Sequence, residues 1–319
     1  MRRHGLGFLV VLIVLAASCP EAAEAHNGYG IVVDPQGRIC FLDSVRNRIW
    51  RVEPDARLTS LATDKHGNNL ARDAAGNLYV QHVNRTIWKI SPDDRAIKLL
   101  QGPSVGSLDE FITVDNAGNI YLAVGNDFHG RPPRLLKRTA TGSVSELGAG
   151  FGVLISAAWG PDGSLYLTER TRIRRLAPDG NVSTVAEGFQ RLMGIAVDTQ
   201  GTFYVADSDA FAVLRVAPDG RSSVIARTWL PWKPAAVAVR GEDVFILERM
   251  FVPLPIGLQQ LFRTHRIRQI SSDGRQSTLV TVGRAGDYVV LAALLGMVSL
   301  VYRWRTKRKA AKARATTAT

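Results

Sequence analysis

Short hydrophobic stretches alternate with turns rich in Asp, Asn and Gly through most of the chain. The first recurring pattern is an Asp-x-x-Gly-type turn followed by an apolar run, and it is clearest at residues 33–43. Further copies lie at residues 72–80, 114–122, 160–167, 197–205 and, with a degraded turn, 239–246. The turn position therefore repeats about every 41 residues, at 37, 76, 118, 163, 201 and about 242.

A second pattern occurs between the copies of the first. It is an apolar–basic–apolar run that leads into a Pro-Asp or Asp-Gly turn, as at residues 49–55. The other copies lie at residues 87–93, 135–142, 173–180, 213–220 and 267–274, and the one at 135–142 ends in Thr-Gly instead. Short alternating runs separated by such turns predict antiparallel strands, four in each unit. Because one such sheet must stack on its neighbours to bury both faces, the repeat predicts an all-β fold, a six-bladed β-propeller.

The predicted organisation is one propeller between two terminal segments. The propeller covers residues 26–283, and a single transmembrane helix follows at residues 288–304. The predicted blades cover about residues 28–65, 66–104, 105–150, 151–190, 191–232 and 233–283. A short linker at residues 284–287 and a basic tail at residues 305–319 complete the chain.

The first 25 residues have the pattern of a secretory signal peptide. A basic start precedes an apolar run over residues 6–17, and an Ala-x-Ala site ends at Ala25, where cleavage is expected. A lipoprotein signal with lipidation at Cys19 is the alternative. After cleavage only Cys40 remains, within an apolar run. This predicts a buried thiol and no intrachain disulfide.

The apolar stretch near the C-terminus, residues 288–302, predicts a membrane anchor. As a helix it would be about 22 Å long, somewhat less than the ~30 Å hydrocarbon core. Flanking Tyr288, Tyr302 and Trp304 suit the membrane interface. Seven cations and no acid follow between positions 303 and 314. By the positive-inside rule the tail is cytoplasmic and the propeller extracytoplasmic, either periplasmic or extracellular.

Composition and charge exclude several classes. The 319 residues are 46% hydrophobic and 21% charged, which excludes collagen-like, disordered and disulfide-scaffold proteins. The net charge is +12, but nine cations lie in the terminal segments, and residues 26–285 carry only +6. That modest excess without a clustered basic face predicts no nucleic-acid partner.

The repeat resembles that of NHL-repeat propellers. It contains a Gly-x-x-x-Asp segment, then Gly-x-Ile-Tyr-Val-x-Asp, then Asn-x-x-Ile-x-x-Val, and residues 30–52 and 194–216 match it best. The likeness covers about residues 28–283. Similar six-bladed propellers include binding platforms, lactonases of the gluconolactonase type and strictosidine-synthase-like enzymes. The resemblance therefore implies the fold and leaves the function open.

Two rings of polar residues are predicted at one face of the propeller, its mouth. If strands A to D run outward from the axis, the start of each A strand and the end of each B strand meet there. The inner ring contains His26, Asn27, His66, Asn68, Asp109, Glu110, Arg191 and Lys233, with Ser156 slightly deeper. The second ring contains Asp43, His82, Val124, Glu169, Asp207 and Glu248. We predict that a ligand binds at this mouth, contacted by His26, Asn27, His66, Asn68, Asp109, Glu110, Ser156, Glu169, Asp207 and Glu248.

The sequence favours a ligand- or protein-binding platform, and no catalytic residue is assigned. The alternative is a gluconolactonase-like, metal-dependent hydrolase of a lactone or ester. In that case Ca²⁺ or another divalent cation would bind carboxylate and amide oxygens. The candidate ligands are Asn68, Asp109, Glu110, Glu169 and Asp207. The Glu-Gly-Pro motif of such lactonases is absent from the first blade, which starts at His26. Asp43 and Asp207 match the repeat and could instead bind backbone N–H groups of their own turns.

Blade six contains a long apolar insertion between its second and third strands, residues 249–266. The insertion and the exit to the predicted anchor lie at the same face as the two rings. We therefore expect the mouth to face the bilayer, with the insertion in the interface or against another membrane or extracytoplasmic protein. The alternative is an insertion folded back over blades six and one.

Overall fold

The structure is a computed structural model of the chain. It describes residues 30–43, 46, 48–63, 67–82, 86–100, 111–124, 133–252 and 264–283, and the single positions 296, 300, 303, 304 and 306. The predicted signal peptide lies outside the described residues, and so do residues 253–263 of the predicted blade-six insertion.

The described part contains 24 strands in six four-stranded antiparallel sheets. Blades one to three comprise β1 (Ile31–Val33), β2 (Ile39–Asp43), β3 (Arg48–Val52), β4 (Leu58–Thr63), β5 (Gly67–Arg72), β6 (Leu78–His82), β7 (Ile87–Ile90), β8 (Ala96–Leu100), β9 (Ile112–Val114), β10 (Ile120–Val124), β11 (Arg134–Arg138) and β12 (Val144–Leu147). Blades four to six comprise β13 (Ser156–Trp159), β14 (Leu165–Thr168), β15 (Arg172–Leu176), β16 (Val182–Glu187), β17 (Leu192–Val197), β18 (Phe203–Asp207), β19 (Ala212–Val216), β20 (Ser222–Arg227), β21 (Trp232–Arg240), β22 (Asp243–Met250), β23 (His265–Ile270) and β24 (Gln276–Val282).

Within each sheet the strands follow the order of the chain, and the first strands of neighbouring blades contact each other around the axis. The predicted all-β, six-bladed propeller with four antiparallel strands per blade is confirmed. No strand is exchanged between the first and last blades in the described part of the chain. Side chains join these two blades instead: Phe41 shares a hydrophobic cluster with Phe245 and Leu247. The Arg240 guanidinium also donates to the Gly37 carbonyl at 2.9 Å.

The hydrophobic core lies in layers between adjacent blades. Phe41, Phe111, Phe203 and Phe245 are fully buried, as expected if each sheet stacks on its neighbours. For example, Ile173 of blade four and Phe203 of blade five belong to one buried cluster. Cys40 is 1% exposed, and burial raises the pKa of its thiol to about 11, so this cysteine is a core residue as predicted.

The turn between the first two strands of a blade is closed by its own Asp and Gly. In blade three, Asp115 accepts the backbone N–H of Asn119 at 2.8 Å, and Gly118 adopts φ +77°. A positive φ is strained for residues with a Cβ, which explains the Gly at this place in the repeat. Blade four has Gly160 where blades one, two, three and five have Asp. A Cβ at Gly160 would lie 2.4 Å from the Tyr166 ring, so no side chain fits there.

Most of the predicted transmembrane helix, residues 288–304, lies outside the described residues. Positions 296, 300, 303 and 304 are described and are helical. Among the residues that the structure describes, no helix has both the length and the apolar character needed to span a membrane. The anchor and the signal peptide therefore remain predictions.

Candidate ligand-binding mouth

A cavity of about 240 Å³ runs along the propeller axis and is lined by residues from all six first strands. Its polar lining includes Asn69, Thr113 and Ser156. Glycines let the first strands approach closely: a Cβ at Gly194 would lie 2.7 Å from the Cα of Ala236. The cavity is smaller than the 300–1,000 Å³ typical of drug-sized ligand sites, so only a small ligand fits without rearrangement.

Several predicted site residues cannot be placed at this cavity. His26, Asn27, His66, Asp109 and Glu110 lie outside the described residues. The backbones of Asn68 and His82 belong to β5 and β6, but their side chains are outside the described part. Ser156 is half-buried and lines the axial cavity.

Glu169 follows β14 and is 4% exposed. Its carboxylate accepts the backbone N–H of Gly152 at 2.8 Å and pairs with the guanidinium of Arg172. Arg174 approaches the same carboxylate at 3.6 Å. Because the Glu169 carboxylate is paired and hydrogen-bonded, its negative charge is stabilised in this buried position. These bonds fix the loop before β13 to the end of β14.

Asp207 is the last residue of β18 and is 2% exposed. It accepts backbone N–H groups from Gln190 at 2.9 Å, Arg191 at 2.8 Å and Ala210 at 3.2 Å. Asp43 occupies the same place in blade one and accepts the Arg46 N–H at 3.1 Å. Both carboxylates hold turns at the mouth, which is the role considered for them as members of the repeat.

Glu248, at the corresponding place in β22, is fully buried. Its carboxylate pairs with the guanidinium of Arg266 and with that of Arg268, the latter at 2.9 Å. Two cations around one buried carboxylate satisfy its oxygens and fix β22 against β23.

The described residues do not fit a divalent-cation site. Glu169 and Asp207 already accept hydrogen bonds from backbone and guanidinium groups, which a cation would have to displace. No group of three or more His, Cys, Asp or Glu side chains able to hold a metal occurs in the part of the chain that the structure describes. Asn68, Asp109 and Glu110 remain predicted ligands, because their side chains lie outside that part.

One ion pair at the mouth joins a predicted residue of the inner ring, Lys233, to a residue that was not predicted, Asp209. Lys233 of the inner ring has a side chain 9% exposed, and its ammonium group donates to Asp209 at 2.8 Å. The ammonium also lies 5.3 Å from the ring centre of Phe211 and 4.4 Å from that of Phe251, within cation–π range. Asp209, Phe211 and Phe251 were missed because no repeat position links them. The doubled acid of the Asp-Ser-Asp segment at residues 207–209 was the only available signal.

A histidine lies buried at the contact between the last blade and the first. His265 is 5% exposed, and its Nδ1 lies 3.9 Å from a carboxylate oxygen of Asp43 with no hydrogen-bond partner. Burial lowers the pKa of His265 to about 4; Asp43 raises it, and Arg46 and Arg249 lower it further. The imidazole is therefore neutral at physiological pH.

A larger cavity, about 690 Å³, lies between blades three and four at the opposite face, which carries the turns. Tyr121, Lys137 and Trp159 are part of its lining. The Tyr121 and Trp159 rings meet edge to face with centres 4.9 Å apart. None of the predicted site residues lines this cavity.

Comparisons with known proteins agree with the fold. A family model described as "SMP-30/Gluconolactonase/LRE-like region" matches residues 27–252. Comparison with curated protein sequences gives no match. A gluconolactonase structure from Xanthomonas campestris is 18% identical with a TM-score of 0.59, covering 73% of this chain and 85% of that one.

Two further structures are similar. Virginiamycin B lyase from Staphylococcus aureus is 16% identical with a TM-score of 0.52, covering 82% of this chain and 86% of that one. Regucalcin, a calcium-binding protein from Agrobacterium tumefaciens, is 18% identical with a TM-score of 0.52, covering 69% and 81%. At such identities the likeness shows the fold alone. The family model confirms the predicted relation to gluconolactonase-type propellers, whereas the resemblance to NHL repeats stays a prediction.

Proposed function

Because this chain belongs to the SMP-30/gluconolactonase/LRE-like family, we propose that it hydrolyses a small lactone or ester at the propeller mouth. The family match carries this proposal, since it spans residues 27–252 and hence most of the propeller. The axial cavity supplies a place for the substrate, with the Ser156 and Asn69 side chains among its few polar groups. Its volume of about 240 Å³ favours a small substrate over a polymer.

A second candidate function is binding without turnover, as a platform for a ligand or protein. It is favoured by the burial and hydrogen bonding of the described carboxylates at the mouth. Asp43, Glu169, Asp207 and Glu248 are all buried and hydrogen-bonded to other parts of the propeller. A carboxylate held in this way is poorly placed to act as a general base or a metal ligand.

Release of acid from a panel of lactones and aryl esters, with and without divalent cations, tests the first function. We expect turnover by the full chain that saturates with substrate. Absence of turnover on every compound, while calorimetry still detects binding of one of them, would favour the platform. Absence of both would overturn hydrolysis of this class of substrate and binding of small lactones or esters.

Calorimetric titration with Ca²⁺, Mn²⁺ and Zn²⁺ tests the predicted ligands separately. If Asp109 and Glu110 hold a cation, Asp109→Asn and Glu110→Gln remove its binding heat. Glu169→Gln is the matched control, because the structure already assigns that carboxylate to Gly152 and Arg172. This variant should lower the melting temperature and leave cation binding unchanged. Loss of binding in folded Glu169→Gln would restore Glu169 as a ligand.

We also propose that the propeller is extracytoplasmic and anchored by residues 288–304, with a cytoplasmic basic tail. The apolar stretch and the seven cations after it support this orientation. In cells, the anchored chain should resist alkaline extraction from membranes, and external protease should reach the propeller but not the tail. Extraction into the soluble fraction would contradict the anchor.

A further inference from the structure

Two adjacent large hydrophobic residues are exposed at the mouth side of the propeller. Trp229 is 74% exposed and Leu230 is 59% exposed. Other exposed apolar residues of the propeller, such as Ile97 and Val144, occur singly, which is ordinary for a soluble surface. A neighbouring Trp–Leu pair of this exposure is typical of a contact site.

The pair is held by the backbone of its loop, which connects β20 to β21. The N–H of Thr228 donates to the Phe211 carbonyl at 2.8 Å, and that of Trp232 donates to the Trp229 carbonyl at 2.8 Å. The N–H of Phe251 donates to the Pro231 carbonyl, which fixes the loop to the end of β22. The two side chains therefore project from an ordered tip.

The described propeller ends at the same face. Gly283 follows β24 and packs on Thr264, since a Cβ at Gly283 would lie 2.1 Å from the Thr264 hydroxyl. Thr264 in turn accepts the N–H of Met250, which pairs with Trp232 beside the exposed loop. Three strand spacings separate β21 from β24, or about 14 Å.

The sequence beyond Gly283 brings an apolar stretch to this face. Only four residues, 284–287, precede the apolar residues 288–302. Four residues span at most about 14 Å when extended, so a membrane that holds the stretch must lie close to this end of the propeller.

The charge around the exposed pair suits an anionic lipid surface. Residues 227–233, 248–252 and 264–266 contain four cations, Arg227, Lys233, Arg249 and Arg266. Two carboxylates face them, because Asp209 pairs with Lys233 at 2.8 Å and Glu248 pairs with Arg266. Both carboxylates are paired, so the four cations leave an excess of positive charge, and the exposed Arg227 lies two residues before the Trp–Leu pair in the chain. Basic residues beside Trp and Leu are the combination found at membrane interfaces, where each cation adds about 1 kcal/mol of attraction to anionic lipid.

We propose that this corner of blades five and six, with Trp229 and Leu230 at its tip, rests in the headgroup region of the membrane and sets the tilt of the propeller. The proposal extends the predicted anchoring and is independent of the proposed hydrolysis. Trp229 lies at the depth where an indole is favoured, with Leu230 just below the headgroups and Arg227 at the phosphate level. The mouth consequently faces the lipid at one side and remains open at the other.

Depth-dependent fluorescence quenching of the full chain in vesicles tests this proposal. An environment-sensitive fluorophore is attached through Leu230→Cys, or through Ser272→Cys in an exposed turn at the opposite face of blade six. Cys19 is first replaced by serine, and Cys40 does not compete for the label, because it is 1% exposed and has a raised thiol pKa. Vesicles contain phosphatidylcholine, with or without phosphatidylglycerol, and a lipid with a shallow nitroxide.

We expect the label at position 230 to be quenched several-fold more strongly than the label at position 272. Arg227→Glu should weaken this quenching in phosphatidylglycerol vesicles and not in neutral ones. Equal quenching at the two positions would overturn the proposal, as would a chain that does not float with vesicles. An apolar environment at position 230 without lipid quenching would indicate a protein partner and would overturn it too. Trp229→Phe gives a second readout, because it should remove part of the tryptophan emission that brominated lipids quench.

Discussion

The two faces of the propeller use carboxylates in different ways. The turn face lies opposite the mouth and carries the turns between the first and second strands of each blade. There, four blades repeat one arrangement, in which an Asp accepts the backbone N–H of the residue four positions later. The residues are Asp34, Asp73, Asp115 and Asp198, with distances of 2.8, 2.8, 2.8 and 2.9 Å. A Tyr hydroxyl donates to the same carboxylate in three of these blades, from Tyr79, Tyr121 and Tyr204.

At the mouth, equivalent positions form different bonds. Asp207 accepts a backbone N–H 17 residues earlier, and Glu169 does the same. Glu248 pairs with guanidinium groups 18 and 20 residues later. Asp43 instead accepts the Trp50 indole N–H at 3.1 Å and faces His265 of the last blade.

The difference separates local from non-local stabilisation. A turn carboxylate acts within six residues and closes its own hairpin, so each blade can form this bond by itself. Asp43 and Asp207 also bind their own turns. However, Glu169, Asp207 and Glu248 join segments 16 to 20 residues apart, which meet only when the strands of the blade have paired. We therefore expect substitutions at the mouth to destabilise the whole propeller and substitutions at the turns to have small, additive effects.

Glu248→Ala should have the largest effect. It removes a fully buried carboxylate and leaves the guanidinium groups of Arg266 and Arg268 without their carboxylate partner. Breaking a buried ion pair by removing one member costs about 3–5 kcal/mol, so the free energy of unfolding should fall by that amount. Chemical denaturation followed by circular dichroism measures the change.

The matched control is Asp219→Ala. Asp219 pairs with Arg221 at 2.7 Å in a turn, but both side chains are largely exposed. Exposed pairs contribute little to stability, so the denaturation midpoint should stay unchanged. A Glu248→Ala protein as stable as this control would show that the mouth network does not stabilise the ring.

The stability of the ring contact should also depend on pH through His265. Burial holds the pKa of His265 at about 4, below the 6.5 of a free histidine. As pH falls below 6.5, His265 binds a proton in the unfolded chain before it does so in the folded chain. The contribution of the neutral, buried imidazole to the free energy of unfolding is therefore fully present above pH 6.5 and is lost towards pH 4. The loss should approach about 3 kcal/mol. Thermal unfolding measured between pH 7 and 4 gives the slope.

His265→Gln is expected to flatten this slope, since an amide does not titrate. Arg46, Arg249 and Asp43 also face the imidazole. The turn carboxylate Asp162 does not contribute to the slope, because it titrates below the measured range of pH 7 to 4. Burial alone would raise its pKa, but hydrogen bonds from Ser164, Arg175 and Tyr166 hold the pKa at about 2. An equally steep decline in the variant would place the titrating group elsewhere.

The fold could be predicted because its determinants are local. Four of the six turns have an Asp and a Gly at the same spacing, as in Asp115 and Gly118, and the alternation of the strands follows from the pleat. Six repeats with a mean length of about 41 residues then predict one closed arrangement. The Gly at position 160 breaks the pattern, yet Asp162 supplies the carboxylate that binds Tyr166 at 3.0 Å.

The mouth could not be predicted to the same degree. Position alone indicated that Glu169, Asp207 and Glu248 end their strands on one face, but it could not indicate what each carboxylate binds. The partner of Glu248 lies on the next strand, and that of Lys233 lies 24 residues earlier in another blade. A residue's type and place in the repeat do not determine such contacts, because they depend on how loops of unequal length pack.

The smallest predicted effects are at the turn face, where the same Asp–Tyr hydrogen bond occurs in several blades and its contribution to stability can be compared between them. Burial, together with the hydrogen bond to Asp115, raises the pKa of Tyr121, so the phenol is protonated and donates at 2.9 Å. Tyr121→Phe removes this bond but keeps the ring over which the Lys137 ammonium lies, at 5.6 Å. Unfolding should become easier by about 0.5–1.5 kcal/mol. Tyr204→Phe is the matched comparison, because its hydroxyl lies 3.4 Å from Asp198 and the loss should be smaller. Denaturant midpoints that fall by equal amounts, or by as much as in Glu248→Ala, would contradict a local role for these turns.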